Sequence, residues 1–148
     1  MSLSQISIFL ENSPGRLLEV TRAFGDAGVN LGALSLTETS GFGVLRLLLS
    51  DLTKARKIAM DRHWPARVDQ VVVARIPDTP GSLSELLTPL CQNRIDVEYM
   101  YAFTGLTSRE AVMIFGFKNP QKATRVLEAS GVVLLGPEEF GALEGEEE

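Results

Sequence analysis

With 148 residues, 45% of them hydrophobic and 22% charged, the chain suits one ordinary domain or two very small ones and is too apolar to stay disordered. Its net charge of −5 argues against a nucleic-acid partner, because a phosphate backbone is met with a basic face. No apolar run reaches the ~18 residues that would span a bilayer. The single cysteine, Cys91, has no internal partner for a disulfide. No basic segment leads into an apolar one at the start, so a cytoplasmic location with no membrane partner is expected.

In chain order, Ile6 to Leu10 is apolar and β-branched, ends at a polar turn, and predicts a strand. Pro14 to about Ala27 predicts a helix, with Leu17, Val20, Phe24 and Ala27 on one face. Pro14 suits a first turn, where no amide hydrogen is needed, and Gly28 suits the residue after the end. Val29 to Leu36 is a second strand, "TETSGFG" a turn, and Val44 to Leu49 a third strand. Asp51 caps a second helix that carries Ala55, Ile58 and Ala59 inward. Ala66 to Asp69 closes the unit as a short strand. Val71 to Ile76, Ser82 to Asn93, Ile95 to Phe103 and Ala111 to Phe117 then repeat the order. Asn119 caps the last helix, with Pro120 at its first position, and Val132 to Leu135 is the last strand. Pro89 lies inside a helix and removes the bond to the carbonyl of Glu85, which predicts a kink.

The repeat is explicit. A shift of 66 lays "NSPGRLLEVTRAFGDAGVNL" on "DTPGSLSELLTPLCQNRIDV", and a shift of 68 lays "VLRLLLSDLTKA" on "VMIFGFKNPQKA". The two extra residues fall in the turn "FTGLTSRE", where insertion is tolerated. Each copy is therefore β-α-β-β-α-β. The expected class is α+β: two ferredoxin-like modules in tandem, with antiparallel sheets joined side by side and helices on one face. The modules are expected at residues 1–70 and 71–136, followed by an acidic tail over 137–148 that ends in "LEGEEE". "RVDQVVVARI" runs from one copy into the next, which favours a rigid junction. Val44, Arg46 and Leu48 alternate with Leu45, Leu47 and Leu49, so both faces of that strand are largely apolar. Val112 and Ile114 do the same against Met113, Phe115 and Phe117. A face left uncovered by helices would meet another protein surface, and a homodimer is expected.

The chemistry concentrates at the two Pro-Gly turns. Helix starts offer unpartnered amides and a partial positive charge, and an anion is welcome there. Gly15 and Gly81 leave that backbone uncovered. Asn12 and Asp78 sit two residues before each proline, and Asn30 and Asp96 open the second strand of each copy. Amides for a carboxylate and side-chain oxygens for an ammonium together describe a free amino acid. Well-capped helix starts and ordinary turn residues satisfy the same spacing. The first and second strands of such a unit run the same way, so the turn and the second-strand start lie at opposite ends of one sheet. A site using both needs a neighbouring module or subunit.

"ENSPGRLLEVTRAFGDAGVNLGALSL" resembles the amino-acid-sensing regulatory module called the ACT domain. The shared signature is Asn or Asp, a Pro-Gly-x-Leu helix start, then Gly-Val/Ile-Asn-Ile/Leu at the strand start. "PDTPGSLSELL" and "RIDVEYMY" resemble it again, so the likeness covers nearly all the chain except the acidic tail. It implies amino-acid binding at the interface between modules, through Asn12, Ser13, Pro14, Gly15, Arg16, Leu17, Asn30 and Leu31. The second copy would use Asp78, Thr79, Pro80, Gly81, Ser82, Leu83, Asp96 and Val97. Similarity to the serine-sensing module of phosphoglycerate dehydrogenase gives ligand-holding roles to Asn12 and Asn30, although Leu10 and Ile76 stand where that module has a histidine. Asp78 and Asp96 would favour an ammonium and disfavour a carboxylate, so the two sites are expected to differ, and Arg94 takes the place of the glycine.

His63, the only histidine, reads as an end-of-helix surface residue, and Cys91 as small filler. Tyr99, Tyr101 and Phe103 alternate along one strand face and read as core or interface. No nucleophile-base set and no metal-ligand set is present in the sequence pattern, so neither an enzyme nor a cofactor is expected. The reading is a regulatory protein that binds an amino acid and signals to an enzyme in trans or through its oligomeric state. The rivals are an interaction module with empty turns, and a small enzyme drawing on Asp78, Asp96, Glu98 or Glu11.

Overall fold

The computed structural model describes residues 3–11, 13–103 and 109–145. The chain divides into two compact units. One is Ser4–Asp69; the other is the described chain from Gln70 on, with Leu3.

The first unit begins with β1 (Leu3–Glu11), α1 (Arg16–Asp26), β2 (Leu31–Thr39), β3 (Phe42–Leu49) and α2 (Leu52–Asp61). Its sheet has the order β2-β3-β1, antiparallel throughout. Ser40 and Gly41, both at positive φ, make the two-residue hairpin turn between Thr39 and Phe42, a geometry that matches the twist of the strands. Asp51 caps α2 as expected: its Oδ1 accepts from the Lys54 N–H at 3.0 Å. Phe9 N–H donates to the Pro65 carbonyl at 2.9 Å, which sets the start of the closing strand beside β1. Ile6, Ile8, Leu10, Leu45 and Leu47 from the sheet pack with Val20, Phe24 and Ala55 from the helices. Leu17, expected on the inward face of α1, is 39% exposed, and the buried residues of α1 are Val20, Ala23 and Phe24.

The expected short strand and the next one are a single strand, β4 (Ala66–Pro77). The second unit continues with α3 (Ser82–Gln92), β5 (Tyr99–Phe103), β6 (Glu110–Gly116), α4 (Pro120–Ala129) and β7 (Val133–Leu135). Its order is β5-β6-β4-β7, again antiparallel. This is the complete four-stranded ferredoxin-like sheet, since the module's first strand, β4, lies between its third, β6, and its fourth, β7. Asn119 caps α4 through Lys122 N–H at 3.1 Å, with Pro120 in the first turn. α3 runs through Pro89 to Gln92. Val72, Ala74, Leu86, Leu90, Met113, Phe115, Ala123 and Leu127 form the core, at positions equivalent to the first unit's under the shifts of 66 and 68.

Four further expectations change. β5 starts at Tyr99 rather than Ile95, although Ile95 and Val97 still pack on the core. Residues 137–145, expected to be solvated tail, form α5 (Pro137–Gly145) with Phe140 only 5% exposed. Cys91 is exposed rather than packed as filler. Leu48, Val112 and Ile114 are at most 2% exposed, so no open apolar face exists at those positions; the exposed apolar side chains include Leu34, Leu36 and Phe42. The expected insertion in "FTGLTSRE" (103–110) and the end "LEGEEE" (143–148) lie in part outside the described residues, over 104–108 and 146–148. No described helix is long and apolar enough to cross a membrane.

Candidate functional site

Each Pro-Gly turn adopts the same shape. Gly15 caps α1 with φ 88 and ψ −11, and Gly81 caps α3 with φ 89 and ψ −12. That φ is why glycine stands there: an L side chain rarely adopts it. A Cβ built on either glycine would meet nothing within 4 Å, so no part of the described protein crowds the turn. Glycine is thus required at this position by backbone conformation, with open space above the backbone.

Arg16 N–H donates to the Ser13 carbonyl at 3.3 Å, and Glu19 N–H to the Gly15 carbonyl at 2.9 Å. Between them the amides of Leu17 and Leu18 have no acceptor among the described residues, as first-turn amides do. The second turn matches: Ser82 N–H reaches Thr79 O at 3.2 Å and Glu85 N–H reaches Gly81 O at 3.0 Å. That leaves Leu83 and Ser84 without a described acceptor. Neither helix start has a side-chain cap among the described residues. Ser13, Pro14 and Gly15 are exposed, as are Thr79, Pro80 and Gly81. Thr79 Oγ1 and Ser82 Oγ share a hydrogen bond of 2.7 Å, and Asp78 N–H donates to the Arg109 carbonyl at 2.7 Å. Leu83 packs partly on the core. Asn12 lies outside the described residues.

Asn30 and Asp96 are not beside these turns. Glu11 pairs with Phe42, whereas Leu31 pairs with Leu49 at the far end of β3, about 23 Å away at the rise of a strand. In the second unit Pro77 pairs with Glu110 and Tyr99 with Gly116, about 20 Å apart along β6, and Asp96 precedes the start of β5. Asn30 exchanges two bonds with Ser50: its N–H donates to Ser50 Oγ and its carbonyl accepts from Ser50 N–H, both at 3.0 Å. Its side chain is left exposed, as is that of Asp96. Leu31 and Val97 pack partly on their cores. Within one module, therefore, the turn and the strand start do not converge.

What the spacing missed is a cavity beside each turn. In the first unit it measures about 420 Å³, and its walls include Phe9, Glu11, Arg16, Phe42, His63 and Trp64. In the second it is about 240 Å³, with Arg75, Pro77, Ser82, Gly131 and Val132 in the walls. The sets correspond: under the shift of 66 Phe9, Glu11 and Arg16 fall on Arg75, Pro77 and Ser82, and under 68 His63 and Trp64 fall on Gly131 and Val132. The repeat itself was thus the signal that could have found them. Trp64 packs edge-on against Phe24 at 5.9 Å, and the Arg62 guanidinium lies 5.6 Å from its ring centre. Arg16 lies 3.7 Å from Glu11 and 3.4 Å from Glu19, both exposed and weak pairs. Arg75 Nε lies 2.7 Å from Glu110 Oε2, close enough for an ion pair but outside hydrogen-bond geometry. No group of three or more His, Cys, Asp or Glu suited to a metal occurs among the described residues.

A family model described as an ACT domain pair matches residues 1–139. Among solved structures, a protein of Bacteroides thetaiotaomicron is similar at 36% identity and TM-score 0.88, over 95% of this chain and 96% of that one. The ligand-free regulatory subunit of aspartate kinase from Thermus thermophilus is similar in fold, at 13% identity and TM-score 0.61, over 86% and 91%. The aspartokinase alpha and beta subunits give 16% and 0.59, over 86% and 90%. No curated protein matches the chain.

Proposed function

The chain belongs to the ACT domain-pair family, and from that premise we propose that it is a regulatory protein that binds a free amino acid. The observation that carries this reading is the doubled helix start: two exposed turns at φ 88 and 89, each with first-turn amides lacking a described acceptor. Such an end takes a carboxylate, since the amide hydrogens and the helix dipole both favour negative charge. The ammonium would be met by Asn30 or Asp96 from an adjoining module or a second copy of the chain, because within one module these lie at the wrong end of the sheet. Asn12 and Asp78 would complete the two sites, with Ser13, Arg16 and Leu17, or Thr79, Ser82 and Leu83, around them.

The protein's output would be a change in assembly or in a partner enzyme. The fold it shares with a regulatory subunit of aspartate kinase is consistent with action in trans. A ligand shifts such an equilibrium only by binding one arrangement more tightly than the other. Thermal unfolding in the presence of each of the twenty amino acids tests the reading. A midpoint that rises with ligand concentration supports it, and no shift with any of them at millimolar concentration leaves an interaction module with empty turns.

A further inference from the structure

We propose that the cavity beside the first turn binds an aromatic carboxylate, one per chain, and that its counterpart in the second module does not. The inference rests on the regulatory reading in taking the occupant to be a metabolite, but not in requiring an amino group.

The two cavities are formed by equivalent positions of the repeat, so what differs between them is side-chain chemistry. The first is lined by three aromatic rings, Phe9, Phe42 and Trp64; of the equivalent positions, Arg75 and Val132 stand in the wall of the second, and Glu110 replaces Phe42 outside it. Flat apolar walls of this kind take a flat apolar group. The volumes separate in the same direction. About 420 Å³ lies within the range of small-molecule sites, roughly 300–1,000 Å³, and about 240 Å³ falls below it.

Charge separates them again. Arg16 and Arg62 line the first cavity against a single carboxylate, Glu11. Arg16 is held there only by solvent-exposed pairs, which an incoming carboxylate can replace at little cost. Arg75 in the wall of the second cavity is paired with Glu110 at 2.7 Å, and Glu85 stands in the wall itself, so an anion would compete with carboxylates already present. The chain also bears a local strain at the first cavity. His63 holds φ 58 where the second module has Gly131 at φ 82. The left-handed residue ends α2 as Gly28, Arg94 and Gly131 end α1, α3 and α4, and at this end it puts an imidazole on the cavity wall.

Trp64 is the chain's only tryptophan, so its emission reports on this cavity directly. The probes are L-phenylalanine, 3-phenylpropionate and L-alanine, with excitation where phenyl rings do not absorb. A saturable change in Trp64 emission with L-phenylalanine or 3-phenylpropionate, at one equivalent per chain and absent with L-alanine, is expected. Phe42 is 58% exposed, so Phe42→Ala will fold, and it should weaken binding about tenfold. Arg75→Ala should leave binding unchanged. Unchanged emission with both phenyl probes overturns the proposal, and so does undiminished binding in Phe42→Ala. Unchanged Trp64 emission with both phenyl probes, beside a thermal shift by an aliphatic amino acid, overturns it while leaving amino-acid sensing in place. Saturation by 3-phenylpropionate but not by L-phenylalanine supports the cavity and removes the amino group from the functional reading.

Discussion

Two backbone positions show what single residues contribute. Gly15 has φ 88, beyond the left-handed well near 57° that other residues reach. Gly15→Ala should therefore cost about 1–2 kcal/mol, although the added methyl meets no neighbour. The loss comes from the backbone alone, and chemical denaturation with an unchanged slope would show it. Arg94 is the converse. It holds φ 56 where the first module has Gly28 at φ 77. Arg94→Gly relieves about 1–2 kcal/mol of left-handed strain and adds roughly 0.5–1 kcal/mol of unfolded-chain entropy, for a net gain of about 0.5–1 kcal/mol. A lower denaturation midpoint in Arg94→Gly would refute that balance. Residues of this kind were legible in sequence, because capping and turn chemistry is local. Asp51 and Asn119 could be read as caps from their neighbours alone, and both accept the expected amide.

At the scale of elements, the repeat hides an exchange that no local signal reveals. Tyr99 pairs across the sheet with Gly116, and Ala33 pairs with Leu48 at the same place in the first module. One copy puts the large residue on its second strand, the other on its third. A Cβ on Gly116 would lie 2.2 Å from the Tyr99 ring, so Gly116→Ala must displace that ring and should cost about 1–3 kcal/mol. In a Tyr99→Ala background, Gly116→Leu rebuilds the first module's pair. The double mutant should then be more stable than the two single changes predict by about 0.5–3 kcal/mol, measured as a double-mutant cycle. Additivity would mean the ring and the glycine are not in fact coupled. The same dependence on tertiary partners explains what the pattern misjudged. Leu17 has helical spacing yet is 39% exposed, while Val20, Ala23 and Phe24 form the buried face of α1. Phe140 was masked by the glutamates around it, although one buried ring is enough to anchor α5 against solvent. The aromatic cavity escaped notice for a related reason. Phe9, Phe42 and Trp64 belong to three separate elements, and only the folded chain brings them to one wall.

For the whole molecule, the decisive fact is a distance. The Pro-Gly turn and Asn30 lie at opposite ends of one sheet, about 23 Å apart, so no amino acid touches both within a module. If both hold the ligand, the site is completed by another module, and binding must then be linked to whatever brings modules together. β2 is suited to that contact. It is an edge strand of its unit, nine residues long, with Leu34 and Leu36 about half exposed. Natural edges are normally blunted with charge, and this one carries two leucines, which is how an edge made for pairing would read. Leu34→Lys with Leu36→Lys leaves the buried core untouched and places two like charges on that edge. The double variant should fold with a thermal midpoint close to the parent's, sediment as a monomer where the parent associates, and lose its amino-acid-dependent shift. The ligand should likewise raise the association constant of the parent, because what binds the assembled form more tightly must also favour assembly. Retention of the full shift by a strictly monomeric variant would place the ligand entirely within one chain, and a second copy would then have no part in holding it.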